Sequence, residues 1–299
     1  MPRVLRVATR GSDLARWQAQ RVIDMLASDA ELVIVTTTGD ARSETPIHQM
    51  GGTGVFVKEV QQAVLGGHAD IAVHSAKDLP ATPSPAGLAL VAVPERADPR
   101  DALVGSTLDG LPAGAVVGTG AVRRRALLAA LRPDLTFSEL RGNISTRLEK
   151  ASQFDAIVVA AAALERLGLL ARADEILDPS VMLPQVAQGA LAVECRDADE
   201  ETRSRLAAID DAGAHREVDA ERSFLAHVGG SCDLPCGALA RATGASITLD
   251  ALLASPDGRT VVRTSREGTD PEKLGREVAR DVLERGGRDL LDTGGEPAP

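Results

Sequence analysis

Short apolar runs alternate with helical stripes from the start of the chain. Val4 to Ala8 reads as a strand, and Leu14, Trp17, Val22 and Leu26 then recur at the spacing of one helix face, with Ser12 placed to cap that helix. A strand at Leu32 to Thr36, a helix from Val55 to Leu65 stopped by Gly66 and Gly67, and a strand at Asp70 to Val73 follow. Alternation of this kind is the rhythm of a parallel α/β sheet. The pattern restarts after Pro99. A strand at Ala115 to Gly118, an arginine-rich helix, a strand near Leu135, a helix from Ile144 to Ala151 and an apolar run from Ala156 to Ala163 predict a second α/β unit.

Past Arg196 the texture changes. Two charged helical stretches, Glu200 to Ile209 and His215 to His227, lead into a segment rich in Gly and Cys. Ser246 to Leu253 and Thr260 to Thr264 then flank Pro256-Asp257-Gly258, a hairpin signal, ahead of a helix from Pro271 to Glu284. This part predicts a small α+β domain, with a frayed tail from Thr293 to Pro299.

The chain has 299 residues, 44% hydrophobic, and a net charge of −10, enough for two or three domains with cores of their own. No apolar run approaches the roughly 20 residues of a membrane span, and Met1 to Arg10 lacks a secretory signal's apolar stretch, so the expectation is a soluble cytoplasmic protein without a membrane partner. Three cysteines, Cys195, Cys232 and Cys236, argue against a disulfide scaffold. An acidic chain is also a poor general binder of nucleic acid. Its basic residues are skewed, however: lysine occurs only at 58, 77, 150 and 273, leaving 29 arginines. Genomic base composition alone can produce such a bias, but position is more telling. Six arginines (123, 124, 125, 132, 141 and 147) stand against Asp134 and Glu139 between Gly118 and Arg147, a local surplus of four positive charges. A basic pocket in an acidic protein can admit one small anion while repelling polyanions.

Several segments could carry chemistry. Gly51-Gly52-Thr53-Gly54 and Gly118-Thr119-Gly120 each precede a helix and read as tight turns or as anion cradles; neither fits the full dinucleotide fingerprint. Asp70-Ile-Ala-Val-His-Ser-Ala-Lys-Asp78 sets Ser75, Lys77 and Asp78 just past a buried strand, where α/β proteins place ligands. Lys77 beside Asp78 reads equally as a solvated pair. His74 reads as a packed residue. Arg141-Gly-Asn-Ile-Ser-Thr-Arg147 offers guanidinium groups suited to carboxylates, with Asn143 capping the next helix. Cys232 and Cys236 are a weak metal half-site; a Gly-rich loop holding Cys232 also suits a covalent attachment point.

Taken in order, Ala8-Thr9-Arg10-Gly-Ser12, Phe56-Val-Lys58-Glu59, Ala69 to Asp78, Asp98-Pro-Arg-Asp101, Arg123-Arg124, Leu140-Arg-Gly-Asn143, Thr146-Arg147-Leu148, Gln188-Gly-Ala190, Glu194-Cys-Arg196, Glu221-Arg222 and Cys232 three residues before Pro235 resemble the porphobilinogen deaminase family over nearly the whole chain. The resemblance implies a transferase that joins four porphobilinogen units head to tail into 1-hydroxymethylbilane, releasing ammonia at each addition. It implies a dipyrromethane cofactor held by a thioether to Cys232, no metal, and a monomer. The implied fold is two periplasmic-binding-protein-like α/β domains, residues 1–95 with 190–210 and residues 96–189, plus a C-terminal α+β domain, residues 211–299. Implied catalytic residues are Asp78, Arg10 and Lys77. Implied cofactor contacts are Asp78, Ser75, Lys77, Thr119, Arg123, Arg124 and Gly142, and implied substrate contacts are Arg10, Ser12, Gln18, Arg141, Arg147 and Gln188.

Five positions depart from the family pattern: Gly120 and Ala121 replace paired serines, Thr53 a frequent lysine, Ser231 the second glycine before the cysteine, and Ala187 the glycine before Gln188. Cys236 stands where an apolar residue is usual and reads as a packed spectator. Two alternatives stand beside the enzyme. One is a non-catalytic anion-binding protein of periplasmic-binding type, which leaves Cys232 and the third domain unexplained. The other is a dinucleotide-dependent enzyme, which lacks a convincing acidic residue for the ribose.

Overall fold

The computed structural model describes residues 4–41, 54–230 and 234–292. The chain divides into two compact units, Met1–Ala97 with Gly189–His215 and Asp98–Gln188 with Arg216–Pro299. In chain order, the first unit supplies β1 (Leu5–Arg10), α1 (Asp13–Leu26), β2 (Ala30–Val35), α2 (Thr38–Ala41), α3 (Lys58–Leu65), β3 (Ile71–Ser75) and β4 (Leu88–Ala92). The second unit follows with β5 (Asp101–Val104), β6 (Val116–Gly118), α4 (Val122–Leu131), β7 (Thr136–Ser138), α5 (Ile144–Glu149), β8 (Ala156–Ala160), α6 (Ala161–Arg166) and β9 (Glu175–Ile176). The chain then returns to the first unit as β10 (Leu191–Arg196) and α7 (Glu200–Ala207). It leaves again through α8 (Ala212–His227) into β11 (Cys236–Thr243), β12 (Ser246–Ala254), β13 (Val261–Gly268) and α9 (Pro271–Val282). Among the described residues no helix is long and apolar enough to cross a membrane.

The two larger sheets share one plan. The first has the order β2-β1-β3-β10-β4 and the second β7-β6-β8-β5-β9. In each, three parallel strands meet one antiparallel strand, β10 against β3 and β5 against β8. That strand is in both cases the first one laid down after the chain passes from one unit to the other. The third sheet, β11-β12-β13, is an antiparallel meander that groups with the second unit.

Local sequence explains most boundaries. Ser12 caps α1 by accepting from Ala15 N at 3.3 Å, and Asn143 caps α5 through Thr146 N at 2.9 Å. The apolar run from 156 divides between a fully buried strand and an alanine-rich helix, since Ala161 to Ala163 favour the helical state. The helix expected from Val55 starts three residues later, after a turn in which Val57 N bonds Gly54 O at 2.9 Å. Strands β4, β5, β10 and β11 were not anticipated. Of these, β4, β5 and β10 are short or evenly buried and show no alternation of apolar and polar positions, and β11 is buried without a break through its first five residues.

Both antiparallel strands carry a fully buried carboxylate. Asp101 of β5 accepts from Arg123 Nη2 and Arg124 Nη2, each at 2.7 Å, and from Gln188 Nε2 at 2.9 Å. The remaining edges of the two guanidinium groups donate to Leu183 O and Val158 O. Burial alone pushes the Asp101 carboxyl up, but the two guanidinium charges and the Gln188 bond outweigh it and hold the group well below the usual range. Glu194 of β10 accepts from Gln61 Nε2 at 2.9 Å and Ser84 Oγ at 2.5 Å, with His74 Nε2 at 3.1 Å. Here too burial opposes the charge and the bonds prevail.

The β12–β13 turn rests against α4. Gly258 has φ +73°, and a Cβ there would overlap Ala126 O and sit 2.7 Å from Ala130 N. Gly258→Ala is therefore expected to lower stability by about 1–3 kcal/mol, measured as a lower urea midpoint with an unchanged slope. Asp101→Asn leaves two buried guanidinium groups without their counter-ion, for an expected loss of about 3–5 kcal/mol at pH 7. Because the Asp101 carboxyl titrates below its unfolded value, its stabilisation is complete above about pH 4 and fades as the pH falls further. The stability difference between wild type and Asp101→Asn should accordingly shrink below about pH 4 in pH-dependent urea unfolding.

Candidate active site

In the first unit the parallel strands β1, β2 and β3 end on one edge of the sheet, the edge at which α/β folds bind ligands. Arg10 is the last residue of β1, Thr37 and Asp40 follow β2, and Ser75 ends β3, with Lys77 and Asp78 on the 3-10 turn Ala76–Asp78. The fold thus brings together four residues that the sequence singled out, Arg10, Ser75, Lys77 and Asp78. Arg10 Nη1 lies 4.0 Å from Asp78 Oδ2, with both side chains about a quarter exposed (24% and 30%). The guanidinium of Arg10 also bonds Asp40 through Nε and Nη2 and lies 4.2 Å over the Phe56 ring. Sequence reasoning gave no role to Asp40. Its signal was a Gly-Asp pair directly after a strand.

Ser12 has its side chain engaged as the α1 cap, which leaves its hydroxyl donor available to a ligand. Gln18, one turn into α1, is 3% exposed, and its buried Nε2 finds no partner among the described residues. The turn bearing Asp78 is tied down at both ends. Ala76 N bonds Ala190 O at 3.0 Å, and Ser84 beyond it holds the buried Glu194.

In the second unit Thr119 follows β6 and receives Ala121 N on its Oγ1 at 3.2 Å, and no side chain caps α4. Arg123 and Arg124 occupy the first turn of that helix. The resemblance implies that they contact the cofactor, and the local sequence offers them no acidic partner. The structure supplies one: both are buried against Asp101, which comes from a strand 22 residues before Arg123 and so escaped a local count of charge. Gln188, expected at a ligand, is fully enclosed and gives its amide to Pro99 O at 2.8 Å and to Asp101. Arg141 pairs with Glu139, and Arg147 donates from Nε to Gly142 O at 2.8 Å. Gly142 has φ +117°, and a Cβ there would lie 2.7 Å from Thr146 Cγ2, so the backbone at this point needs glycine.

Two of the sequence departures have a local reason. A Cβ at Gly120 would approach Glu139 Oε1 at 2.9 Å, so the ion pair of Arg141 fills the space that a serine would take. Ala187 adopts φ +59°, left-handed backbone that costs an alanine about 1–2 kcal/mol. The buried Glu221 holds it there by accepting from Ala187 N at 2.6 Å and Ala240 N at 2.8 Å. Of the cysteines, Cys195 is buried, and burial followed by the charge of Asp199 pushes its thiol up to about 11, which removes the thiolate needed for attack. Cys236 is buried as well. Cys232, Thr53 and Ser231 lie outside the described residues, as do Gly51, Gly52 and the tail from Thr293.

A family model described as the porphobilinogen deaminase dipyromethane cofactor binding domain matches residues 5–204, and one for the porphobilinogen deaminase C-terminal domain matches residues 215–284. Porphobilinogen deaminase of Roseiflexus sp. (strain RS-1) is 46% identical over 302 residues, covering 97% of this chain and 99% of that protein. Its counterpart in Acidothermus cellulolyticus is 47% identical over 302 residues, covering 96% of this chain and 91% of that protein. Among solved structures, a periplasmic binding protein of Salmonella typhimurium with high arginine specificity aligns with a TM-score of 0.37 at 11% identity, over 69% of this chain and 91% of that one. With matches spanning both halves and relatives near half identity along nearly its full length, the chain belongs to the porphobilinogen deaminase family.

Proposed function

We propose that this chain polymerises four porphobilinogen molecules into 1-hydroxymethylbilane, releasing ammonia at each addition, with Asp78 as the central carboxylate. The observation that carries the reading is the pairing of Asp78 with Arg10 at the carboxyl edge of a sheet that lies wholly within the matched cofactor-binding region. The matches over both parts of the chain favour the enzyme over a non-catalytic anion-binding protein.

Loss of ammonia from porphobilinogen leaves a cationic azafulvene. A fixed carboxylate stabilises that cation and accepts hydrogen bonds from pyrrole N–H groups, and Asp78, partly exposed at the sheet edge, is placed to do both. The same carboxyl group can carry a proton to the departing amine. Every pyrrole of substrate and product bears an acetate and a propionate, so binding calls for cationic and N–H donors. Arg10, Ser12, Gln18, Arg141 and Arg147 are assigned to substrate.

Dipyrromethane, when bound, supplies the primer to which the first substrate is joined. The residues fit such a group in kind, since Lys77 is cationic and Ser75 and Thr119 are hydroxylic, and Gly142 is assigned to it through its backbone. Arg123, Arg124 and Gln188 act from below, by fixing the start of α4 against Asp101 and so placing Thr119. Cys232 is the proposed thioether anchor, since Cys195 and Cys236 are buried and Cys195 is held as a neutral thiol. A monomer acting in the cytoplasm, without nucleic-acid or membrane partners, completes the reading.

Asp78→Ala is expected to lower turnover of porphobilinogen by at least about 100-fold, and near-normal turnover would remove Asp78 from this role. Intact-protein mass spectrometry of freshly purified enzyme should show an added dipyrromethane that Cys232→Ala abolishes. A bare polypeptide mass in active enzyme refutes the covalent anchor. Colour with Ehrlich's aldehyde reagent separates an enzyme carrying pyrroles from a simple anion binder.

A further inference from the structure

Arg10 turns only one edge of its guanidinium toward Asp78. Its Nε and Nη2 edge is held by the carboxylate of Asp40 at 2.5–3.2 Å, and its face is covered by Phe56. Asp40 is fixed in turn. Thr37 donates to its Oδ2 from Oγ1 at 2.8 Å and from N at 3.3 Å, and accepts from Asp40 N at 3.2 Å. Glu59 of α3 pins the helix around it by accepting from Thr38 N at 3.0 Å and Thr38 Oγ1 at 2.5 Å, while Gly39 N bonds Val55 O at 3.0 Å. Any side chain at position 39 would fall into the Phe56 ring, so only glycine lets α2 come this close. Asp40 stays ionised here. Burial opposes its charge, but the bonds and charge of Arg10 and the Thr37 bonds hold its carboxyl below the usual range.

A lone arginine 4.0 Å from Asp78 would work against the chemistry. It would offset the carboxylate where a cation has to be stabilised, and its open Nε–Nη2 edge would be a bidentate receptor for a substrate carboxylate. With Asp40 in place, two carboxylates face the one guanidinium, so the charge of Arg10 is shared between them and not spent on Asp78 alone. We propose that Asp40 is a positioning residue of the deamination step: it occupies half of Arg10, so that Asp78 keeps its negative field for the cation that remains when ammonia leaves. This rests on the assignment of Asp78 made under Proposed function.

The test is steady-state kinetics on holoenzyme, with dipyrromethane content checked by intact mass so that rates refer to loaded protein. Asp40→Asn is expected to reduce kcat by about tenfold or more while KM for porphobilinogen stays level or falls, because the released edge of Arg10 can take a substrate carboxylate. Asp40→Glu should recover kcat to within about threefold of wild type. A role confined to holding the fold would lower the melting temperature and the loaded fraction, without that split between kcat and KM. Wild-type kcat within about twofold in Asp40→Asn, or a raised KM with kcat retained, overturns the proposal. Should Asp40→Asn not load, Thr37→Val frees Asp40 without altering any charge. It should lower kcat by about twofold to fivefold with no rise in KM, and an unchanged kcat overturns the proposal equally. Asp78→Asn run alongside separates the two ideas. If it turns over normally the role of Asp78 fails, and if it is inactive while Asp40→Asn is normal, only the role of Asp40 fails.

Discussion

A charge taken out of water must be matched on the spot, and that requirement organises both sheets of this chain. Each sheet is built from parallel strands and one antiparallel strand, and the antiparallel strand brings a fully buried carboxylate, Asp101 in β5 and Glu194 in β10. An isolated buried carboxylate costs several kcal/mol. Asp101 therefore gathers Arg123 and Arg124 from α4 and Gln188 from the segment leaving the unit, while Glu194 gathers Gln61 from α3, His74 from β3 and Ser84 from the stretch beyond Asp78. Each carboxylate thus draws onto one point the elements that shape the neighbouring site. A hydrophobic core alone is non-directional and would not fix those elements so sharply.

The same economy of charge runs through the sheet edge itself. Arg10 does not stand as a bare cation waiting for substrate. It is divided between Asp40, the Phe56 ring and the approach to Asp78. In the second unit Arg141 is divided with Glu139, and Arg147 with a backbone carbonyl. An arginine-rich, overall acidic protein can hold anionic substrate this way without becoming a general trap for anions, since each guanidinium presents a limited and oriented edge.

Much of this was legible in the sequence where the signal is local. The capping side chains Ser12 and Asn143 and the turn at Asp257-Gly258 depend on residues within a few positions of one another, and they stand where the pattern puts them, whereas the face that α1 buries is Ala15, Gln18, Ala19 and Val22, and Trp17 of the expected stripe is exposed. Ser75, Lys77 and Asp78 were legible for a different reason, since they stand just past a buried strand where parallel sheets bring ligands, and Arg10 was named through the family resemblance. What could not be read are pairings across long stretches of chain. Asp101 cancels the charge of Arg123 and Arg124, and a window of thirty or so residues centred on the arginines shows only the surplus. Strands β5 and β10 lack alternation because both of their faces are covered, and a run such as Leu191 to Cys195, interrupted by Glu194, looks like neither a surface strand nor a helix. The replacement of glycine by Ala187 has no explanation in the neighbouring sequence. Its reason lies in Glu221, 34 residues later, which grips the backbone amide.

The return of the chain to complete the first sheet also fixes an order of events at the ribosome. Among the described residues strand β4 pairs only with β10, and β3 has β10 on its far side, so until residue 191 has been made the first sheet holds an open edge and an unattached strand. The second sheet, by contrast, has all its strands by Ile176. Synthesis from the amino end therefore does not mean folding from the amino end: the first sheet is completed after the second has all its strands, and in the interval its open edge can pair with a wrong partner.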